Sequence, residues 1–237
     1  MGSPNAPRLT QIKNAADQNA NVAPGSLVSI IGTDLSPVNI ATSQMPLPTA
    51  LGESCLTVNG LPLPVLFVSP TQINAQLPYQ VSGNVTLVLH TPSGVSDNFN
   101  LTILPAAPSI FRNGTAGTDT DIPAIIRARN NELVTLSNPI HKDDTITIYL
   151  SGMGNTTPAV EAGMPTPSDP LPSVLIAPVV TLGGVQLPVS FAGLTPGQVG
   201  VYQINVAINR RVPSGISIPL VVTQAGNSTS ANVRVVD

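Results

Sequence analysis

Apolar residues alternate with polar ones at a period of two along most of the chain. The clearest runs are Val28 and Ile30; Leu56 and Val58; Val85, Leu87 and Leu89; Phe99, Leu101 and Ile103; then Ile146 and Ile148. The second half adds Tyr202, Ile204, Val206 and Ile208, then Ile218, Leu220 and Val222, and finally Val233 and Val235. Each run predicts a half-buried strand, because side chains two apart on a strand share a face. The 25 prolines and 19 glycines fall at close intervals, so no apolar 3.6-residue period runs far without meeting one. Helix is thereby excluded beyond a short turn around Asn14-Ala-Ala-Asp-Gln18, where a loop is an equal alternative.

The alternating runs come in two series. Val28-Ser-Ile-Ile-Gly-Thr33 returns as Ile146-Thr-Ile-Tyr-Leu-Ser151, Met45-Pro-Leu-Pro48 as Met164-Pro-Thr-Pro167, and Gly60-Leu-Pro-Leu-Pro-Val65 as Gly184-Val-Gln-Leu-Pro-Val189. Gln72-Ile-Asn74 returns as Gln203-Ile-Asn205, Val85-Thr-Leu-Val-Leu89 as Ile218-Pro-Leu-Val-Val222, and Asn100-Leu-Thr-Ile103 as Asn232-Val-Arg-Val235. The offsets are 118, 119, 124, 131, 133 and 132, which small insertions in the second copy would produce. Two homologous domains are expected, each with about seven strands, and an immunoglobulin-like β-sandwich is the best match. The all-β organisation predicted is a first sandwich over residues 7–105, a structured connector over 106–141, and a second sandwich over 142–237.

Within the connector, Ile122 to Arg129 and Glu132 to Leu136 read as a hairpin closed by a two-residue turn, Asn130-Asn131, since Asn tolerates positive φ. This hairpin belongs to neither repeat in sequence. It is expected to pack on the second domain or to wedge between the two, which would make the pair rigid.

Composition narrows the function. Charged residues are 9% of the chain, and the net charge is -3 with Lys and Arg scattered singly. No basic stripe is present to neutralise phosphates, so nucleic acid is excluded as a partner. No apolar run approaches the roughly 20 residues of a membrane-spanning helix, so membrane insertion is not expected. Met1-Gly-Ser reads as a cloning remnant, and a secretory signal upstream is expected to have been cut away. There is no Trp, and the core must be aliphatic; this points to the early-set or transcription-factor-type immunoglobulin-like group, without the Cys and Trp of antibody domains. Cys55 is alone and is expected to be a small buried hydrophobe with no cation or His near it in sequence.

Candidate chemistry is sparse. His141-Lys-Asp-Asp144 groups four ionisable residues, and a solvated turn is preferred over a metal or acid–base site because no convergent partners are evident. Asp119 and Asp121 have the alternating acids of a calcium loop, yet calcium takes six to eight oxygens and no later Glu follows at a fixed spacing. No nucleophile, base and orienter are arranged together, and no Gly-x-Ser-x-Gly is present. The chain is therefore expected to be no enzyme and to need no cofactor. The repeated amides are the sharpest feature: Gln72 with Asn74, and Gln203 with Asn205, each share a strand face and could bind a sugar or partner, or else bond neighbouring strands as scaffold. The Met-Pro-x-Pro segments read as edge or loop pieces that blunt pairing. Five Asn-x-Ser/Thr sequons begin at Asn84, Asn100, Asn113, Asn155 and Asn227.

A resemblance covers nearly the whole chain. Val22-Ala-Pro-Gly-Ser-Leu-Val-Ser-Ile-Ile-Gly-Thr-Asp-Leu35, Leu47-Pro-Thr-Ala-Leu-Gly52, Val58-Asn-Gly60 and Val68-Ser-Pro-Thr-Gln-Ile-Asn-Ala-Gln-Leu-Pro-Tyr79 carry its first half. Ala107-Pro-Ser-Ile-Phe111, Ile148-Tyr-Leu-Ser-Gly-Met-Gly154, Phe191-Ala-Gly-Leu-Thr-Pro-Gly197 and Gly200-Val-Tyr-Gln-Ile-Asn-Val206 carry the rest. Together they are similar to an uncharacterised C-terminal domain family abundant in Solibacter and other Acidobacteria. The resemblance implies the C-terminal part of a secreted or surface protein, with no catalytic residues to transfer; Cys55 departs from the plain aliphatic residue of the family pattern.

Three functions are consistent with these features. The favoured one is a non-catalytic structural or interaction module that spaces, anchors or docks. Another is a subunit of an extracellular filament or surface layer, with Pro7-Arg-Leu-Thr-Gln-Ile-Lys13 adding a strand to a neighbour. The third is a carbohydrate-binding module, disfavoured by the few aromatics available to stack on sugars. A protein partner or self-association is thus expected ahead of a glycan.

Overall fold

A computed structural model describes residues 6–113 and 121–237. The chain is all-β, two tandem immunoglobulin-like sandwiches, with strands numbered in chain order. In the first, one sheet runs β1 (Arg8–Asn14), β2 (Leu27–Thr33), β7 (Gln72–Gln76), β6 (Val65–Val68), β3 (Ile40–Ala41). The other runs β10 (Phe99–Ile103), β8 (Gly83–Thr91), β4 (Cys55–Val58), β5 (Leu61–Pro62), with β9 (Gly94–Val95) at the end of β8. Leu56, Val58, Leu87 and Leu89 from this sheet meet Val28, Ile30, Ile73 and Ala75 from the other in an aliphatic core.

In the second sandwich, one sheet runs β15 (Glu132–Leu133), β14 (Ile125–Arg127), β17 (Thr145–Ser151), β23 (Tyr202–Ala207), β22 (Val189–Leu194), β19 (Ser173–Val174), β18 (Thr156–Thr157), with β11 (Ser109–Ile110) on β17. The other runs β16 (Ile140–His141), β25 (Asn227–Val236), β24 (Gly215–Gln224), β20 (Val179–Leu182), β21 (Val185–Leu187). A separate pair, β12 (Arg112–Asn113) and β13 (Ile122–Pro123), lies beside them.

The two copies agree down to their irregularities. A bulge interrupts β6 between Val65 and Phe67, and another interrupts β22 between Val189 and Phe191. Val22 bridges Ile103 in parallel, and Ile140 pairs with Val235 in parallel, at the repeat offsets of 118 and 132. The β4–β5 hairpin turns on Asn59-Gly60 (φ 48° and 79°), and the β20–β21 hairpin on Gly183-Gly184 (φ 59° and 80°). Positive φ at both central residues gives the turn whose twist matches that of paired strands, which is why Gly and Asn occupy these sites.

The hairpin differs from its sequence reading in two respects. Its strands are only β14 and β15, joined by a four-residue loop, residues 128–131, in place of a two-residue turn. Asn131 alone takes positive φ (56°), and its N–H donates to the carbonyl of Arg127 at 2.9 Å, so one left-handed residue suffices to close the loop. Nor is the hairpin outside the repeat: β14 pairs with β17 through Ile125↔Ile148 and Arg127↔Ile146, as β1 pairs with β2 through Ile12↔Ile30 and Asn14↔Val28. β14 is the second copy of β1. The segment Arg8 to Lys13, considered above as a free donor strand, is accordingly committed to its own sheet.

Candidate functional site: the junction between the sandwiches

Several of the repeated and family-like segments meet at the contact between the two sandwiches. Gln76 ends β7 with 1% of its surface exposed. Its Oε1 accepts the N–H of Gly163 at 2.6 Å, while its Nε2 donates to the Gly25 carbonyl and the Tyr79 hydroxyl, both at 3.3 Å. The backbone N–H of Leu27 donates to Ser151 Oγ at 3.0 Å, and that of Leu47 to the Gly163 carbonyl at 2.9 Å. Tyr79, from the first half, packs within the core of the second. Tyr202 is fully buried, and its hydroxyl donates to the Gly154 carbonyl at 2.5 Å.

Glycines allow this approach. Gly25 (φ 74°) lies so near the two tyrosines that a Cβ there would stand 2.2 Å from Tyr79 Cε1 and 2.9 Å from the Tyr202 hydroxyl. At Gly152 (φ 81°) a Cβ would stand 2.3 Å from the Ala107 carbonyl oxygen. The connecting strand is held as well: Ala107 N–H donates to Gly152 O at 2.7 Å, and Asn227 Nδ2 to Ala106 O at 2.8 Å. The extra residues of the second copy, between Phe191 and Gln203, form the loop that brings Gly200 against Leu27 and Gln76. In each Met-Pro-x-Pro segment the third residue is buried, Leu47 and Thr166 at 5% exposure, while Met45 and Met164 point outward.

Burial dominates the electrostatics here. The Tyr79 hydroxyl is pushed up from 10.0 to about 12 by desolvation, with hydrogen bonds to Tyr202 and Gln76 pulling back part of the rise. Tyr202 is raised well above 10.0, by burial first and by its neighbour Tyr79 second. Both are neutral hydrogen-bonding groups at physiological pH. A cleft of about 440 Å³ beside the junction is lined by Pro24, Leu104, Pro105, Met153, Leu175 and Ile176, with no ionisable residue in its wall. The junction can hold two bodies together.

The amide pairs lie elsewhere, half-buried on β7 and β23. Gln72 Nε2 donates to Asn74 Oδ1 at 2.7 Å, whereas Asn205 Oδ1 accepts Thr147 Oγ1 at 3.0 Å. Cross-strand rows Ser29–Asn74–Phe67 and Thr147–Asn205–Phe191 are equivalent in the two copies. Gln203 stands in the next row with Tyr149 and Gly193. Two sequons face one another across β8 and β10, Thr102 Oγ1 donating to Asn84 Oδ1 at 2.9 Å and Thr86 Oγ1 to Asn100 Oδ1 at 3.1 Å.

The other candidates are placed as follows. Asp144 accepts from Arg127 Nε at 2.8 Å and from the His141 backbone N–H at 2.7 Å, and Asp143 pairs with Arg210. The carboxylates of His141-Lys-Asp-Asp144 are thus spent on ion pairs, and among the described residues no group of three His, Cys, Asp or Glu could hold a metal. Asp121 is bound by Arg112 at 2.7 Å, and Asp119 lies outside the described residues. Cys55 is half-buried and not sealed in the core, because it occupies the outward phase of β4; His90, distant in sequence, sits directly across from it on β8.

Comparison with known proteins bears on the fold. A family model described as the IPT/TIG domain matches residues 15–103. No curated protein matches the sequence. Among solved structures, a surface glycan-binding protein from Prevotella bryantii is 12% identical over 97% of this chain and 42% of its own, with a TM-score of 0.31. A surface glycan-binding protein from a xyloglucan utilisation locus of Bacteroides uniformis is 14% identical over 97% of this chain and 49% of its own, at 0.29. A tandem of titin Ig domains is 10% identical over 97% and 95%, at 0.25. The chain spans less than half the length of the two bacterial proteins.

Proposed function

We propose that the chain is a non-catalytic spacing and docking module of a secreted or cell-surface bacterial protein, built as two sandwiches held in a fixed relation. Its first unit is residues 7–105 and its second 142–237, with the connector 106–141 supplying strands to the second. The observation that carries this reading is the buried junction, where one amide, Gln76, satisfies backbone groups from both halves. A linker meant to flex would carry exposed polar residues and few crossing bonds; here Ala106 and Ala107 are at most 1% exposed. The extracytoplasmic setting rests on the resemblance to the Solibacter family. Small-angle scattering tests the fixed relation: the wild-type profile is expected to match one rigid two-body shape, and Gly152→Val, which drives a side chain into the Ala107 carbonyl, to require a spread of inter-domain angles. A wild-type profile that already needs such a spread refutes the reading.

A second reading has one specific observation behind it. On the outer face of the second sandwich, Tyr149 and Phe191 flank Gln203 and Asn205, so aromatic faces adjoin free amide donors in the manner sugars require. Calorimetric titration with plant-wall oligosaccharides at millimolar concentration decides it, with binding lost in Tyr149→Ala and Phe191→Ala; absence of heat in the wild type removes it.

A further inference from the structure

The two copies of the first strand differ in what lies outside them. In the second sandwich the outer edge of β14 is closed by β15, with Glu132 directly opposite Arg127. In the first, β1 ends its sheet, and among the described residues no hydrogen bond from outside the β1–β2 pair reaches the backbone of residues 8–13. An edge of this kind is a template for another strand.

Its charges define what that strand must carry. Arg8 and Lys13 are the only Lys or Arg residues before Arg112, and both lie on β1. Neither has an ion-pair partner among the described residues. A bulge at Thr10 shifts the alternation, so that Leu9, Ile12 and Asn14 face inward while Arg8, Gln11 and Lys13 face outward together. Across the pair, Arg8 stands opposite Thr33 and Lys13 opposite Ser29, a span of four residues on a regular strand. Edge lysines and bulges also serve to repel strands; these two cations leave the edge repulsive to basic segments and attractive to acidic ones.

We propose that the outer edge of β1 takes an extended acidic segment of a partner protein by β-strand addition. Main-chain bonds supply the pairing, and Arg8 and Lys13 select acidic side chains four residues apart on one face. This rests on the docking part of the reading above and names its partner class.

The test uses the full chain and fluorescent eight-residue peptides that alternate valine with polar residues, read by anisotropy at low salt. One carries glutamate at two positions four apart, another lysine at the same positions, and a third is the glutamate peptide with a central proline. Saturable binding of the glutamate peptide alone is expected, weakened at least about tenfold by Arg8→Glu with Lys13→Glu, which then gains the lysine peptide. Arg8→Ala with Lys13→Ala gives an intermediate loss, and thermal melts verify that every variant is folded. The proposal is overturned if the glutamate peptide does not bind, if it binds wild type and the reversed variant alike, or if the wild type is a dimer that the reversal dissociates. The last outcome assigns the edge to a second copy of the chain. Scattering of the free protein is independent of these peptides, so the spacer reading and this one fail separately.

Discussion

Gly25 shows how much one missing atom matters at the junction. Alanine there needs a left-handed backbone that L-residues resist by about 1–2 kcal/mol, and its Cβ would overlap the Tyr79 ring. Overpacking of a buried site adds typically about 1–3 kcal/mol, so Gly25→Ala is expected to destabilise the chain by about 2–5 kcal/mol, measured from the urea midpoint at constant slope. The tyrosines behind it make a pH prediction. In the unfolded chain they lose their protons near 10.0, but folded Tyr79 holds its proton to about 12 and Tyr202 is raised also. The folded state therefore binds more protons above pH 10, and stability is present in full below 10 and declines as pH rises toward 12. Denaturant midpoints taken across that window are expected to fall in the wild type and to fall less in Tyr79→Phe and in Tyr202→Phe; equal slopes in all three refute the assignment.

At the level of strands, alternation and turn residues made most of the fold legible in the sequence. Asn59-Gly60 marks its hairpin outright, and Val85 to Leu89 or Tyr202 to Ile208 could be little else than half-buried strands. The equivalence of β1 and β14 was not legible. Gln11-Ile-Lys-Asn14 and Ala124-Ile-Ile-Arg127 share one apolar residue, and their offset of 113 lies outside the 118 to 133 of the other pairs. Only pairing to β2 and β17 aligns them. The last position of each is instructive: Asn14 is uncharged and needs no counter-ion, its Oδ1 accepting the Ala16 N–H at 3.1 Å, whereas Arg127 is 6% exposed and relies on Asp144. Removing one partner of a buried pair leaves an uncompensated charge, at a cost of about 3–5 kcal/mol, while replacing both by apolar groups is often neutral. Asp144→Ala is thus expected to lower stability by about that amount, and Arg127→Met with Asp144→Leu to recover most of it in the same urea titration.

For the whole molecule, the parts that looked like punctuation proved to be the joint. Ala23-Pro-Gly-Ser26, the Met-Pro-x-Pro segments, Ser151-Gly-Met-Gly154 and the expansion before Gln203 all lie in loops or at strand ends. Their convergence depends on how two sandwiches stack, and no local period encodes that. Gln76 could be read as a strand-end amide but not as the residue bridging Gly25 and Gly163. Such a joint couples the folding of its halves. Tyr79 fills the second core from the first half, so unfolding either sandwich strips buried area and bonds from the other. Calorimetry of the wild type is expected to give one transition whose calorimetric and van't Hoff enthalpies agree, as for a single cooperative unit. Gln76→Leu leaves the Gly163 N–H and the Gly25 carbonyl without their side-chain partner, a loss of about 1–3 kcal/mol for buried polar groups, and falls on the coupling more than on either core. The expected result is a trace that broadens or divides into two transitions, with the enthalpy ratio rising above one. A wild type that already unfolds in two independent steps, unchanged by Gln76→Leu, means that the sandwiches merely touch and that a rigid spacer is the wrong description.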